Sequence, residues 1–234
     1  MLRRPGEHWT RFGARIANAF GLVLVLVVAI YVLASLTSYT GWGGVALSAV
    51  TGTCATVALV SADASHRTVA WAATSAVGAV VLATISAITG HSTPSGIAAL
   101  VLVVLLAVAV GEVLGTVVTE REVGFRTILG AISVYVILGI LFSFAYAGID
   151  RLQAGSFFGT TTQTGDFVFF SITTLTTTGY GNLVPAAQPG RMLSGLEMLI
   201  GQIFLVTLIA GLVSLWRPGA RSSSRRDEQH DGSR

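Results

Sequence analysis

The sequence has few charged residues and no lysine. Only 11% of its 234 residues are charged, and all 14 basic residues are arginine, whereas roughly a quarter of the residues in a soluble domain carry charge. Because 53% of the residues are hydrophobic, most of the chain must face lipid rather than water. The exclusive use of arginine is typical of a GC-rich genome, and we therefore expect a bacterial source.

Cysteine is almost absent, since Cys54 is the only one in the chain. A single thiol excludes a disulfide framework and a cysteine-based metal site within one subunit. The sequence shows no nucleophile–base pair, metal-ligand cluster or phosphate-binding glycine loop in a suitable context, so we expect no cofactor and no enzyme activity. The arginines flank apolar segments without interleaved aromatic residues, which argues against a nucleic-acid partner.

Six apolar segments are long enough to cross a bilayer, which requires about 20 residues per helix. These spans run approximately over residues 17–38, 43–60, 69–88, 97–118, 127–149 and 190–216. The predicted fold class is therefore an all-α membrane protein with six transmembrane helices. Spans two and three are rich in Ala, Gly, Ser and Thr, whose small side chains allow helices to pack closely.

The positions of the arginines predict the orientation, because cytoplasmic flanks retain positive charge during insertion. Six spans place both termini on the same side of the membrane. If that side is cytoplasmic, only Arg151 and Arg191 of the 14 arginines lie outside. We therefore expect a multi-pass protein of the plasma membrane, with both termini cytoplasmic and the polar stretch 147–189 extracellular.

The spans divide the chain into regions. Residues 1–16 form a predicted cytoplasmic Arg-rich arm, residues 17–118 a four-helix transmembrane region, and residues 217–234 a disordered cytoplasmic tail. The fourth span contains Glu112 as its only ionisable residue, and none of the first four spans has an arginine ladder. We do not expect voltage sensing, because a sensor must move charge through the membrane field.

A short apolar segment, residues 166–176, lies within the polar stretch. It is too short to cross the membrane, so we interpret it as a re-entrant helix. Asp166 lies at its start, where a carboxylate favours the positive end of the helix dipole, and either Asp166 or Thr164 is expected to cap free N–H groups. The opposite end carries partial negative charge and would stabilise a cation at mid-membrane.

This segment is followed by Thr176-Thr-Thr-Gly-Tyr-Gly-Asn-Leu-Val-Pro185. Here the chain resembles the potassium-channel family, whose filter motif is usually written TVGYGD. The resemblance covers residues 127–216 and implies a re-entrant pore helix and a filter loop between the fifth and sixth spans. Its parts would be an outer helix 127–149, a pore helix 166–176, a selectivity filter 177–181 and an inner helix 190–216.

The resemblance implies that K⁺ binds to four backbone carbonyls, those of Thr177, Thr178, Gly179 and Tyr180. The Thr177 hydroxyl would close the inner site, and the Tyr180 ring would pack behind the filter. A filter that strips water from K⁺ needs successive carbonyls pointing inward, and Gly179 and Gly181 tolerate the positive φ that this backbone requires. One chain supplies one strand, so we expect a homotetramer in membrane lipid, with K⁺ as the permeant ion.

Two residues depart from the family pattern. Asn182 replaces the usual Asp after the filter, and Phe169 stands where many members have a Trp that holds this Asp. Phe169 has no N–H to donate, so both halves of the contact are changed. Thr178 replaces the common Val but still contributes a carbonyl.

The sixth span contains Glu197 about two turns from its outer end, where an isolated charge would be costly. We expect it to face the pore helix and support the filter by hydrogen bonding Thr173, Thr174 or the filter backbone; a role in cavity electrostatics is the alternative. Gly201 matches the hinge glycine of many such channels, although glycine also permits close packing. Three candidates line the cavity in the same register: Gln202, Leu205 and Ile209.

Three functions remain open. The resemblance favours a passive, potassium-selective channel. A weakly selective cation channel is an alternative because of Asn182 and Thr178, and a non-conducting membrane sensor or scaffold is another. An active potassium transporter is not expected, because it usually needs four pore segments in one chain.

Overall fold

A computed structural model describes residues 7–37, 41–119 and 125–215 of the chain. Side chains are described for residues 21–37, 41–116 and 128–211. The predicted tail 217–234 and the side chains of the predicted arm 1–16 therefore lie outside the described residues.

The described residues form seven helices and no strands. In chain order they are α1 (Glu7–Leu36), α2 (Gly41–Ser61), α3 (His66–Thr89), α4 (Ser92–Thr119), α5 (Phe125–Leu152), α6 (Thr164–Leu175) and α7 (Gln188–Leu215). Within the described residues, five helices are long and apolar enough to cross a membrane: α2, α3, α4, α5 and α7. The apolar part of α1 with described side chains is Gly21–Leu36. The predicted all-α class is confirmed, and the pattern is that of a multi-pass membrane protein.

Several helices begin earlier than the predicted spans. The first helix begins at Glu7, inside the predicted arm, rather than at residue 17. Helices α4 and α7 include Pro94 and Pro189 in their first turns, whereas the predicted spans begin after these prolines. Proline is tolerated there because the first N–H groups of a helix have no partner within the helix.

The four leading helices pack closely. A Cβ built on Gly52 of α2 would lie 2.7 Å from the Cβ of Ala76 of α3, so the predicted small-residue packing of spans two and three is confirmed. Fully buried apolar side chains of α2, α4 and α5 form much of the core, among them Leu47, Leu59, Leu102, Leu105, Ile137 and Ile140. Glu112 lies exposed on α4.

Helix α5 packs against α1, α4, α6 and α7. The start of α6 lies beside the end of α1, where a Cβ on Gly165 would be 3.7 Å from the Cα of Ser35. Its last residue, Leu175, accepts a hydrogen bond of 3.2 Å from the Tyr135 hydroxyl in the middle part of α5. Helix α6 therefore runs from the C-terminal end of α1 to the middle of α5.

Candidate functional site

The start of α6 is held by Asp166, whose Oδ2 accepts a 2.8 Å hydrogen bond from the backbone N–H of Gln163. The capping expected of Asp166 is therefore observed, while Thr164 is the first helical residue and Gln163 is the N-cap. The carboxylate also lies in the first turn, where it favours the positive end of the helix dipole. Together these interactions favour a helix start at residue 164.

The segment 177–181, called the filter segment below, has an alternating backbone. The angle φ is +57° at Thr177, +51° at Gly179 and +79° at Gly181, with no positive φ at the two residues between them. The conformations expected at the glycines are confirmed. The value at Thr177 is unexpected, because β-branched residues rarely adopt positive φ. Positive φ at alternate residues is the pattern that a strand with successive inward carbonyls requires.

Three N–H groups of the filter segment donate hydrogen bonds to α6. The Thr173 carbonyl accepts hydrogen bonds from the N–H groups of Thr178 at 2.8 Å and Gly179 at 3.1 Å, and the Thr174 carbonyl accepts one from Thr177 at 3.0 Å. Within the described part of the chain, the carbonyl oxygens of residues 177–180 receive no hydrogen bond. These four oxygens are therefore able to bind a cation.

Behind the filter segment, the ring of Tyr180 stacks on Phe169 of α6. The ring centroids are 5.6 Å apart and the planes differ by 21°. Asn182 is exposed, and its side chain makes no hydrogen bond to the described residues. Phe169 therefore packs against Tyr180.

Glu197 is fully buried. Its Oε2 accepts a hydrogen bond of 2.5 Å from the Tyr146 hydroxyl of α5, and its Oε1 lies 2.5 Å from the Ser171 hydroxyl of α6. The side chain contacts α6 as expected, through Ser171. The expected partners, which were Thr173, Thr174 or the filter backbone, were wrong. The Thr173 hydroxyl instead donates to the Phe170 carbonyl within α6, so Thr173 reaches the filter segment through its own carbonyl. The alternative role in cavity electrostatics stays a prediction.

Gly201 is buried in α7, which continues as a helix through this residue. A Cβ at this position would lie 2.3 Å from the Leu175 carbonyl oxygen, so the glycine allows α7 to contact the end of α6. The three candidates for the cavity lining are all exposed on α7: Gln202, Leu205 and Ile209.

An aromatic cluster beside the site was not predicted. The ring of Phe157 lies 5.2 Å from that of Tyr146, and its backbone N–H donates a 2.8 Å hydrogen bond to Asp150 Oδ1. The Phe157 carbonyl accepts a 2.9 Å hydrogen bond from Ala186, after the filter segment. The signal in the sequence was the apolar pair Phe157-Phe158 in an otherwise polar stretch.

Comparison with known proteins places this site in a recognised family segment. Residues 130–217 match a family model described as ion channel. A cyclic nucleotide-gated potassium channel of Rhizobium etli is 38% identical over 91 residues, which are 38% of this chain and 24% of the relative. The chain thus matches about a quarter of that relative's length. No solved structure matches the chain significantly.

Proposed function

We propose that this chain, whose residues 130–217 match the ion-channel family model, is one subunit of a homotetrameric, potassium-selective channel of a bacterial plasma membrane. Since the family is one of channels, the chain is not an enzyme. The observation that carries the proposal is the filter segment, where φ is positive at residues 177, 179 and 181. The N–H groups of residues 177–179 are held by α6, while four carbonyl oxygens remain available to a cation.

Potassium is the ion that this arrangement favours. Rings of backbone carbonyls replace the hydration shell of K⁺ in selective filters. The ligands would be the carbonyls of Thr177, Thr178, Gly179 and Tyr180, with the Thr177 hydroxyl at the inner end. The Rhizobium relative is described as a potassium channel, which supports the same permeant ion.

The proposed membrane arrangement has six spans, formed by α1 to α5 and α7, with α6 entering the bilayer without crossing it. The 12 residues of α6 are too few for a span. Helix α6 begins near the end of α5 that carries Arg151 and ends beside the middle of α7. With both termini cytoplasmic, as the arginines predict, α6 would enter from outside and direct its negative dipole end towards the membrane centre.

A tetramer follows from the need to surround the ion, because one chain supplies only one strand. Helix α7 has apolar side chains available for contact with other copies, since Leu199 is 62% and Ile203 64% exposed. A depression of about 330 Å³ beside the filter segment is lined in part by Thr177, Gly179 and Val184. We propose that neighbouring subunits cover these surfaces.

The test is K⁺ and Na⁺ flux into liposomes that contain the purified protein. Potassium flux that exceeds sodium flux, is blocked by Ba²⁺ and is lost in Gly179→Ala would support the proposal, because alanine is strained at the positive φ of residue 179. Gly78→Ala is the matched control, since a Cβ at Gly78 of α3 would meet nothing within 4 Å.

Two other outcomes identify the alternatives. Equal K⁺ and Na⁺ flux would indicate the weakly selective cation channel, for which Asn182 and Thr178 provide a reason. An absence of flux from intact tetramers, together with a filter segment that tolerates substitution, would indicate a non-conducting sensor or scaffold.

A further inference from the structure

Four oxygen-bearing groups form a continuous chain of contacts around Glu197. The Ser171 hydroxyl lies 2.6 Å from the Gly139 carbonyl oxygen and 2.5 Å from Glu197 Oε1. The Tyr146 hydroxyl lies 2.5 Å from Oε2. These contacts lead from Gly139 of α5 to Ser171 of α6, then to Glu197 of α7 and back to Tyr146 of α5. They therefore join the three helices that position the filter segment.

The number of available hydrogen atoms indicates whether the Glu197 carboxyl is protonated. A serine or tyrosine hydroxyl donates one hydrogen, a backbone carbonyl donates none, and a carboxylate donates none. With an ionised Glu197, two hydrogens must serve three contacts, and two oxygens would face each other at 2.5 or 2.6 Å with no hydrogen between them. With a protonated carboxyl, every contact is a hydrogen bond.

The surroundings of Glu197 agree with a neutral carboxyl. The side chain is fully buried, and no arginine among the described residues pairs with it. The titratable groups that face it are the phenols of Tyr146 and Tyr135, neither of which supplies positive charge. An unpaired carboxylate inside a membrane is costly, whereas a neutral and fully hydrogen-bonded carboxyl is tolerated.

We propose that Glu197 is a protonated positioning residue that fixes α6 between α5 and α7. Its carboxyl donates to the Ser171 hydroxyl and accepts from Tyr146, while Ser171 donates to Gly139. Ser171 is two residues from Thr173, whose carbonyl holds the N–H groups of Thr178 and Gly179. The position of α6 therefore sets the position of the filter segment. This effect on selectivity rests on the function proposed above.

Substitutions at position 197 separate a neutral hydrogen-bonding role from a charged one. Glutamine presents an N–H donor to Ser171 and a carbonyl acceptor to Tyr146, so Glu197→Gln should keep the wild-type K⁺/Na⁺ flux ratio. Glu197→Leu fills a similar volume but makes neither bond. We expect it to lower the ratio by up to about tenfold, the change reached if the cost of one lost buried hydrogen-bond partner falls entirely on K⁺ binding.

Infrared spectroscopy of the intact protein at neutral pH tests the proton directly and does not require conduction. We expect a protonated-carboxyl band in wild type that disappears in Glu197→Gln and persists in the control Glu112→Gln, which changes an exposed carboxyl on α4. A spectrum without this Glu197-dependent band would overturn the proposal, even if Glu197→Leu fails to assemble.

The flux measurements supply the second readout. A Glu197→Gln channel that loses selectivity, or an assembled Glu197→Leu channel that keeps it, would contradict the positioning role. Wild-type protein that carries no flux would instead count against the channel function, while the infrared comparison would still decide whether Glu197 is protonated.

Discussion

The carbonyl oxygen of Leu175 lies so close to Gly201 that a Cβ on the glycine would be only 2.3 Å away. Leu175 ends α6, and Gly201 lies near the middle of α7. The same carbonyl accepts a 3.2 Å hydrogen bond from Tyr135 of α5. The end of the proposed pore helix is therefore held by the Tyr135 hydroxyl, and it fits against α7 because Gly201 has no side chain.

We predict that Gly201→Ala destabilises the protein, because the new methyl group must displace the Leu175 backbone. Overpacking of this kind typically costs about 1–3 kcal/mol. Thermal unfolding of the purified protein in detergent measures the change. Gly78→Ala on the exposed face of α3 is the control, where alanine should be neutral or stabilising by up to about 1 kcal/mol. Unchanged stability with altered channel opening would favour a hinge role for Gly201 instead.

The all-helical fold and the positive φ of Gly179 and Gly181 were predictable because they depend on local properties, namely apolar length and glycine spacing. The partners of Glu197 were not predictable, because they depend on how three helices are rotated about their axes. Thr173, Thr174 and Ser171 are close in sequence, yet only Ser171 faces the carboxyl. Tyr146 is distant in sequence, and nothing in the local pattern of α5 distinguishes it as a partner.

A second prediction concerns the stack of Phe169 on Tyr180. Phe169→Leu keeps an apolar side chain but removes the ring. The interaction free energy between residue 169 and Tyr180 should fall by about 0.5–1.5 kcal/mol, the contribution of an aromatic pair. We expect a lower K⁺/Na⁺ selectivity, measured as the reversal potential in mixed ions. Trp71→Leu removes a half-exposed aromatic ring from α3 and should leave the reversal potential unchanged. An equal effect of both substitutions would show that the stack has no specific role.

A third prediction concerns the hydrogen bond from the Phe157 N–H to Asp150, which is 2.8 Å long. Asp150→Ala removes the acceptor and should destabilise the protein by about 1.5–3 kcal/mol, as expected for a hydrogen bond to a charged group. Asp150→Asn keeps an oxygen at this position and should cost less. Thermal unfolding of both variants makes the comparison, and equal losses would mean that the charge of Asp150, rather than this bond, stabilises the segment.

Thr177 supports a fourth prediction, because its φ of +57° is unfavourable for a β-branched residue. Strain of this kind costs about 1–3 kcal/mol and persists only where the surrounding structure maintains it. If the hydroxyl is a K⁺ ligand, Thr177→Gly should relieve the strain and yet bind K⁺ more weakly. Thr177→Ser removes the methyl group and keeps the hydroxyl, so it should bind K⁺ as the wild type does.

The dependence of thermal stability on K⁺ concentration distinguishes these effects, because a ligand stabilises the folded state according to its concentration relative to the dissociation constant. Thr177→Gly should gain stability without K⁺ and gain less from added K⁺ than wild type. Asp63→Gly is the matched control, since Asp63 has a φ of +54° in the turn after α2. This variant should gain stability without any change in the response to K⁺. A Thr177→Gly protein with the wild-type response would show that the hydroxyl does not bind the ion.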